Sequence, residues 1–306
     1  SAPVGSNAPP PQIRMRSAFT APPGKLILCA DFSQIELRLA AHLSGDETLI
    51  QSLSNPTPDP DNPADDIFTV LASKWLQKSI EHVQPSDRDA CKACVYASLY
   101  GSGAGTVAQK LGITTEEASL HIARFHEALP KLQIWRDSVL QNAREQKPMS
   151  YVTTIRSRRR NFPGLHSTDN NHRSRAEREA FNTVCQGSAS DIFKRACLLV
   201  NDKLRAVHLL ERCRLILTIH DECVFEVDAR TAKAAAQVVR GAMESVAHEF
   251  NLTVPLPVKV RIGHSLSPSD LSMVPRLART PNSTPHTSPM KALRIAATPL
   301  RRQLQP

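Results

Sequence analysis

The feature that most constrains this chain is a pair of apolar runs separated by three polar residues. Residues 215–219 and 223–227 flank the tripeptide His220-Asp221-Glu222. Short apolar runs on either side of a polar turn are typical of a β-hairpin. We therefore expect a hairpin that holds Asp221 at its tip.

An acidic residue also ends the first apolar strand of the sequence. Residues 25–30 form a short apolar run that predicts a buried strand, and Asp31 follows it directly. Beyond it, Ile35, Leu39 and Leu43 recur every four residues, which indicates a helix. The first structural unit is therefore a strand, an acidic turn and a helix.

The two strand-end carboxylates, Asp31 and Asp221, predict a metal site if the fold brings them together. Carboxylates held side by side repel one another unless a divalent cation lies between them. Ligation by oxygen alone suits Mg²⁺, which also binds substrate phosphates. Two such ions can activate a hydroxyl nucleophile and stabilise a leaving pyrophosphate. A structural alternative stays open here, in which Asp31 caps its following helix and Asp221 only forms a turn.

A third group of residues favours the metal site over this alternative. Arg88, Lys92, Tyr96 and Tyr100 are spaced by four and share one face of a helix that Gly101 ends. Two cations followed by two aromatic rings suit a nucleoside triphosphate laid along the helix. Taken alone, such a stripe is more often an ordinary solvent-exposed helix face, on which the aliphatic parts of the long side chains cover apolar surface. Together with two strand-end carboxylates it predicts a nucleotide site.

Composition places the chain among soluble globular proteins. It has 306 residues, of which 41% are hydrophobic and 22% charged. No stretch approaches the ~20 apolar residues of a membrane span, so we expect no membrane partner. The net charge is +9, but six basic residues and no acid lie from 273 to the end, which leaves 9 − 6 = +3 for residues 1–272. Charge alone therefore does not indicate nucleic-acid binding.

The seven cysteines favour a reducing compartment. They are odd in number and scattered through segments that look regular. Cys91 and Cys94 form one CxxC, but no second pair stands at zinc spacing, which favours a structural role for both.

The remaining pattern divides the chain into a Pro-rich start, a helical middle and a basic tail. Residues 1–24 are Pro-rich, with a 13–19 segment that could pair as a strand. The other expected elements are a surface loop (55–63), helices at 66–77 (capped by Asp65), 86–101, 114–129 and 131–146, a basic hairpin (151–162), a long helical region (174–204) interrupted at Gly187, a helix (229–250), an edge strand (254–262) that tolerates Pro255 and Pro257, and a disordered basic tail (273–306).

At this point the residues resemble a known family. Asp31-Phe32-Ser33-Gln34-Ile35-Glu36-Leu37-Arg38 resembles motif A of family A DNA polymerases. Arg88-x3-Lys92-x3-Tyr96-x3-Tyr100-Gly101 resembles motif B, and His220-Asp221-Glu222 is similar to motif C. The three motifs stand in the family's order and approximate spacing, and the resemblance runs from about residue 14 to 271.

The resemblance implies an α+β fold, a polymerase palm with an antiparallel sheet and inserted helical fingers. The palm would comprise residues 25–43 and 171–272, with fingers at 44–170. Thumb and exonuclease domains, which the family carries upstream, do not fit in this chain and are expected to be absent. A longer chain or a partner would then supply the thumb.

The resemblance also implies a role for each site residue. Asp31 and Asp221 would bind two Mg²⁺ ions, with the carbonyl of Phe32 assisting and Mn²⁺ as an alternative ion. Arg88 would hold the γ-phosphate of a dNTP, while Lys92 would act on the α-phosphate side and protonate pyrophosphate. Glu36 would be the steric gate that excludes a 2′-hydroxyl. Tyr96 (whose hydroxyl goes with acceptance of dideoxynucleotides), Tyr100 (at the template-base site), Gln34 and His220 would contact the substrate, and Glu222 would be catalytic near a metal or the primer terminus.

A second helical stripe, Arg178, Asn182 and Gln186, resembles the family's helix that contacts primer-template DNA in the minor groove. Arg and Gln can donate to acceptors common to all base pairs there. A polar solvated face is the alternative. The run Arg156, Arg158, Arg159, Arg160 is interpreted either as a phosphate-facing hairpin or as a solvated cluster.

Departures from the bacterial repair-polymerase pattern favour a subgroup. Phe68 stands where that pattern has His, Tyr96 where it has Phe, and Ala97 where it has Gly. These residues resemble the eukaryotic nu and theta polymerases, so we expect repair or lesion bypass in the nucleus, with a mitochondrion or kinetoplast-type organelle as the alternative. The rival to template-directed DNA synthesis is a catalytically silent DNA-binding remnant.

Overall fold

The hairpin expected around Asp221 forms one side of an antiparallel sheet. The computed structural model describes residues 14–59 and 62–276. The strands are β1 (Lys25–Phe32), β2 (Tyr151–Thr153), β3 (Arg159–Asn161), β4 (Cys213–Ile219), β5 (Glu222–Asp228), β6 (Val258–Gly263) and β7 (Ser272–Met273). The main sheet has the order β4-β5-β1-β6-β7, and β2 pairs with β3 separately.

Helices account for most of the rest of the described chain. They are α1 (Ile35–Ser44), α2 (Glu47–Ser52), α3 (Ile67–Leu76), α4 (Pro85–Tyr100), α5 (Ala104–Leu111), α6 (Thr115–Ala128), α7 (Pro130–Glu145), α8 (Asn170–Ala206) and α9 (Ala232–Glu249). The combination of an antiparallel sheet with α-helices confirms the α+β prediction. None of the described helices is long and apolar enough to cross a membrane.

The sheet is covered by α8 and α9 on one face. Leu28 of β1 and Phe225 of β5 are fully buried against Ile192 of α8 and Val239 of α9 in one core. A second core joins α1 to the helices of the 44–170 region, with Phe68, Leu99 and Phe125 buried in it. The two cores hold the sheet and the helical region in one compact unit that extends to Val274. The proposed boundaries between palm and fingers stay predictions.

Register places the two predicted acids side by side. β1 pairs with β5 so that Asp31 lies opposite Glu222, and with β6 so that Asp31 lies opposite Lys259. Ile219 pairs with Glu222, which leaves His220 and Asp221 as a two-residue turn. His220 adopts a left-handed backbone, φ 57°, a conformation in which His is enriched among non-glycine residues.

Several sequence expectations about single elements are wrong. Residues 15–18 form a 3₁₀ turn instead of a strand, and beyond it Thr20 makes one isolated bridge to Ser265. Helix α3 is capped by Asp66, whose carboxylate accepts from the Thr69 N–H, instead of by Asp65.

Helix α8 runs from Asn170 to Ala206 without a break at Gly187. A Cβ at this position would lie 2.6 Å from Thr154 Cγ2. The glycine therefore makes room for the neighbouring β2–β3 hairpin and does not interrupt the helix.

The C-terminal part of the sheet also differs from expectation. β6 begins after Pro257 and is not an edge strand, because Ser272 and Met273 pair with it as β7. Val274 is buried, so the predicted tail boundary at 273 falls inside the folded unit. The predicted disorder of the tail lies almost wholly outside the described residues, which end at 276.

The two edges of the described sheet are β4 and the two-residue β7, and β4 is the longer of them. Its apolar residues Leu215, Ile216 and Leu217 are 44%, 54% and 37% exposed. The register shifts between Leu215 and Leu217, so Ile216 is the extra residue of a β-bulge. A bulge twists an edge strand and disfavours regular pairing with another strand.

Candidate active site

Asp31 and Asp221 are brought together as the sequence predicts. Burial raises the pKa of Asp31 to about 6, and the negative charges of Asp221 and Glu222 add to the rise. Burial also raises the pKa of Asp221, which is half-buried in the turn of the hairpin beside Glu222. Two acids on adjacent strands and one in the turn between β4 and β5 therefore concentrate negative charge at one end of the sheet.

Glu222 is the acid of this group that the protein itself neutralises. Its side chain is buried, and it accepts hydrogen bonds from Arg261 Nη2 at 3.0 Å and Arg16 Nη1 at 3.5 Å. The sequence analysis missed both arginines, although the alternation of Lys259 and Arg261 along β6 was a signal. The predicted role of Glu222 near a metal or the primer terminus stays a prediction, since its carboxylate is already paired.

The aromatic half of the α4 stripe faces α1. The rings of Tyr96 and Tyr100 stack, with centroids 5.6 Å apart and planes within 3°. Tyr100 donates a hydrogen bond to the Glu36 carboxylate. Burial raises the pKa of Glu36, as does the charge of Asp221, whereas the Tyr100 hydrogen bond opposes the rise.

A pocket of about 510 Å³ collects most of these side chains. Its lining includes Gln34, Glu36, Tyr96, Tyr100, Gln186, His220 and Asp221. Asp31 is not among the lining residues and joins the site through its neighbours Asp221 and Glu222. The pocket has roughly the size of a small-molecule site.

The cationic half of the α4 stripe lies in part at a second pocket, of about 430 Å³. Arg88, Asp66, Lys259 and Gln34 are among the residues that line it. Gln34 therefore borders both pockets, and it does so with a left-handed backbone, φ 51°. Such a conformation in a non-glycine residue commonly marks a functional site.

Two residues at the start of α3 organise the two cations. Asp66 accepts two hydrogen bonds from Arg88, from Nε at 2.8 Å and Nη2 at 3.2 Å. The Arg88 guanidinium and the Lys92 ammonium each lie 5.6 Å from the centroid of the Phe68 ring. From the sequence, Phe68 was only a marker of the subgroup, and no role of Asp66 in the site was predicted.

The predicted DNA-binding stripe on α8 begins next to the nucleotide stripe. Arg178 is exposed and packs against Gly101, where a Cβ would lie 2.7 Å from Arg178 Cγ. Gln186 reaches the larger pocket. Asn182 Oδ1 is buried and has no hydrogen-bond partner within the described part of the chain. The stripe therefore carries an unused acceptor between two polar ends.

The arginine run of the β2–β3 hairpin is engaged within the protein. Arg158 Nε donates to Asp191 at 3.0 Å, and Arg160 Nη1 donates to Thr183 at 2.9 Å. Arg156 Nη2 donates to Glu249 at 3.3 Å. These contacts fasten the hairpin to α8 and α9, but the three arginine side chains stay about half exposed, so the phosphate-facing and the solvated interpretation both stay predictions.

The carboxylates fit a divalent cation as a resident group. Burial raises the pKa of both Asp31 and Asp221, and the charge of Asp221 adds to the rise at Asp31. A cation between the two carboxylates would remove the penalty on their charge. Within residues 14–59 and 62–276, no group of three or more His, Cys, Asp or Glu side chains is placed to hold a metal ion, so the protein would supply only these two carboxylates. Two carboxylates that leave positions for substrate oxygens are what Mg²⁺ sites commonly offer.

Comparison with known proteins decides the family. The family model described as DNA polymerase family A matches residues 7–267. The chain belongs to DNA polymerase family A. It is 38% identical over 250 residues to DNA polymerase I, thermostable, of Thermus aquaticus, and 37% identical over 254 residues to DNA polymerase I of Bacillus subtilis.

A solved structure supports the same assignment for the fold. The polymerase domain of Pol1 from M. smegmatis, in complex with DNA primer-template and dNTP, has a TM-score of 0.72 and 34% sequence identity over 82% of this chain and 42% of that one. The chain spans about 28% of the Thermus aquaticus relative and 27% of the Bacillus subtilis relative. These relatives are bacterial and give no support to the predicted eukaryotic subgroup.

Proposed function

We propose that this chain carries the catalytic site of template-directed DNA synthesis, in which the nucleotidyl group of a dNTP is transferred to a primer 3′-hydroxyl with release of pyrophosphate. One observation carries the proposal: Asp31 and Asp221 converge beside a pocket lined by Tyr96, Tyr100 and Glu36. An acidic centre next to an aromatic stripe that continues into cations is what a nucleotidyl transfer site requires.

The acidic centre is proposed to hold two Mg²⁺ ions, with Mn²⁺ as an alternative. Asp31 and Asp221 would be the ligands, assisted by the carbonyl of Phe32. When bound, the ions supply charge stabilisation to the attacking and leaving oxygens. Burial, together with the charges of Asp221 and Glu222, raises the pKa of Asp31 to about 6, which supports this assignment.

The α4 stripe is proposed to bind the incoming dNTP. Arg88 and Lys92 carry the positive charge that phosphate oxygens require, and Tyr96 offers a ring face to the sugar and base. Glu36, anchored by Tyr100, would occupy the space beside C2′ and exclude ribonucleotides. Gln34 and His220 border the same pocket and would contact the substrate.

The stripe on α8 is proposed to bind primer-template DNA. Arg178 and Gln186 are exposed and lie one turn on either side of the half-buried Asn182. Minor-groove contacts from such side chains report base-pair shape without reading sequence. The structural relative from M. smegmatis contains both DNA primer-template and dNTP, which supports these two partners for this chain.

The biological setting is proposed on narrower grounds. Synthesis in DNA repair or lesion bypass, a nuclear location and a place beside the nu and theta polymerases rest on the subgroup resemblance, which includes Phe68, Tyr96 and Ala97. We also propose that a thumb comes from outside these 306 residues. The test of this point is whether a separately supplied thumb domain lengthens the products of the chain.

Templated incorporation of a single nucleotide tests the proposed function. The chain is mixed with Mg²⁺, one labelled dNTP and four primer-templates that differ in the first unpaired base. We expect incorporation only opposite the complementary base. Binding of the DNA without any incorporation would favour the silent remnant and overturn the proposal.

A further inference from the structure

Arg88 is held by one edge of its guanidinium group. Nε and Nη2 both donate to the Asp66 carboxylate, at 2.8 Å and 3.2 Å. A bidentate pair of this kind fixes the plane of the guanidinium as well as its position. Nη1 points elsewhere and makes a longer contact of 3.4 Å to Asp89, whose side chain is 66% exposed. The Nη1 edge is therefore the part of Arg88 that a ligand can take.

Asp66 is itself rigid, because it serves as the N-cap of α3. Its carboxylate accepts from the Thr69 N–H at 3.0 Å and from the Thr69 hydroxyl at 2.7 Å. Burial opposes ionisation of Asp66, but the hydrogen bonds from Arg88 and Thr69 outweigh it and lower its pKa. Asp66 is thus a charged anchor that is fixed by its own helix.

The same turn of α3 also constrains the second cation. Phe68 is 2% exposed, and its ring lies 5.6 Å from both the Arg88 guanidinium and the Lys92 ammonium. Cations at this distance from a ring centroid are attracted by its negative face. Two residues at the start of α3 therefore set the positions of two cations on α4, which lie 20 or more residues further along the sequence.

We infer that Asp66 is a positioning residue for the triphosphate. It holds Arg88 by the Nε–Nη2 edge so that the Nη1 edge faces a phosphate oxygen, which displaces the exposed Asp89. Phe68 completes the arrangement by fixing Lys92 beside it. The inference rests on the proposed function, since it takes Arg88 and Lys92 as the phosphate-binding cations. Although Asp66 is itself negatively charged, loss of its charge should therefore weaken binding of the triphosphate, because Arg88 would no longer be held in place.

The variant that tests this is Asp66→Asn. Asn is as good an N-cap as Asp, so α3 keeps its capping hydrogen bond, but the charged pair with Arg88 is lost. We expect the KM for the incoming dNTP to rise about tenfold while kcat stays within about twofold. In an Arg88→Ala background the same change should have no further effect, because the two residues act as one unit.

The matched control is Asp46→Asn. Asp46 caps α2 by accepting from the Leu49 N–H at 3.0 Å and makes no contact with Arg88. The KM of Asp46→Asn for the incoming dNTP should equal that of the wild type. An unchanged or lowered KM for Asp66→Asn, or an equal effect in the Arg88→Ala background, would overturn the inference.

Failure of the proposed function is distinguishable from failure of this inference. If the wild type incorporates no nucleotide, the proposed function fails, and tripolyphosphate binding measured by calorimetry then decides the inference. Weaker binding by Asp66→Asn than by the wild type supports it. Equal binding, or no binding by the wild type, contradicts it.

Discussion

Tyr100 donates a hydrogen bond to the Glu36 carboxylate and thereby ties the last turn of α4 to the first turn of α1. The family resemblance gives these residues separate roles, as guard of the template base and as steric gate. The hydrogen bond makes them one unit, in which the position of the gate depends on the tyrosine hydroxyl.

Sugar selection should therefore respond to both residues. Glu36→Ala opens the space beside C2′, and we expect the dNTP-to-rNTP ratio of kcat/KM to fall at least about tenfold. Tyr100→Phe leaves Glu36 without its anchor and should lower the ratio by about two- to fivefold. Tyr151→Phe, which alters a tyrosine on β2 outside this pocket, is the control and should leave the ratio unchanged. A Tyr100→Phe ratio equal to wild type would show that the hydrogen bond does not position the gate.

Stability of the metal-free protein should rise when Asp31 loses its charge. The folded pKa of Asp31 is raised from 3.8 to about 6, so its charged form is penalised in the folded state. That penalty is fully present above about pH 6 and disappears as the pH falls below about 4. In EDTA at pH 7.5, Asp31→Asn should increase the free energy of unfolding by about 1 kcal/mol, after discount for solvent screening.

The measurement is urea denaturation of both proteins at pH 7.5 and pH 4. The difference between them should vanish at pH 4, and added Mg²⁺ should stabilise only the wild type. Asp202→Asn, which changes an exposed acid on α8, serves as the control. A destabilised Asp31→Asn at pH 7.5 would contradict the electrostatic account.

Substitution of Arg158 should lower stability, whereas substitution of Arg178 should affect DNA binding. Arg158 donates to Asp191 at 3.0 Å and to the Gly187 carbonyl at 3.0 Å, so Arg158→Ala leaves the nearly buried Asp191 carboxylate without this cation. It should lower the free energy of unfolding by about 1–2 kcal/mol and leave the salt dependence of DNA binding unchanged. Arg178→Ala should keep stability and flatten the slope of log K against log salt by about one. If Arg158→Ala instead flattened the salt dependence and Arg178→Ala lowered stability, the hairpin and not α8 would contact the phosphates.

The apolar edge of β4 should make the isolated chain associate. Leu215, Ile216 and Leu217 are exposed, and no described strand pairs with the outer side of β4. The bulge at Ile216 disfavours regular strand pairing, so we expect the association to come from contact between the exposed apolar side chains, which a lysine would interrupt. Ile216→Lys should therefore abolish concentration-dependent self-association in light scattering without changing the melting temperature. Equal association of both proteins would show that this edge is not the contact.

The local elements of the site could be predicted from sequence because they depend on neighbours along the chain. Apolar runs fixed β1, β4 and β5, and the spacing of four along α4 aligned Tyr96 with Tyr100. Together they placed Asp31 and Asp221 at strand ends. The motif resemblance then supplied the pairing that spacing alone left open.

The contacts that complete the site could not be predicted in the same way. The pairs Asp66–Arg88 and Glu222–Arg261 join residues 22 and 39 positions apart, and only the packing of α3 on α4 and of the strands decides them. The exposure of Ile216 depends on which strand lies at the edge of the sheet. Gly187 looked like a helix break because nothing local reveals the close approach of Thr154.

The central claim is that Asp31 and Asp221 form the catalytic centre of DNA synthesis, and single-turnover nucleotide incorporation on saturating primer-template measures it most directly. Asp221→Ala and Asp31→Ala should each lower the rate by about three orders of magnitude or more, because the site loses a metal ligand. DNA affinity, measured by fluorescence anisotropy on the same samples, should stay within about twofold of wild type. Incorporation by either variant at a near wild-type rate would contradict the claim.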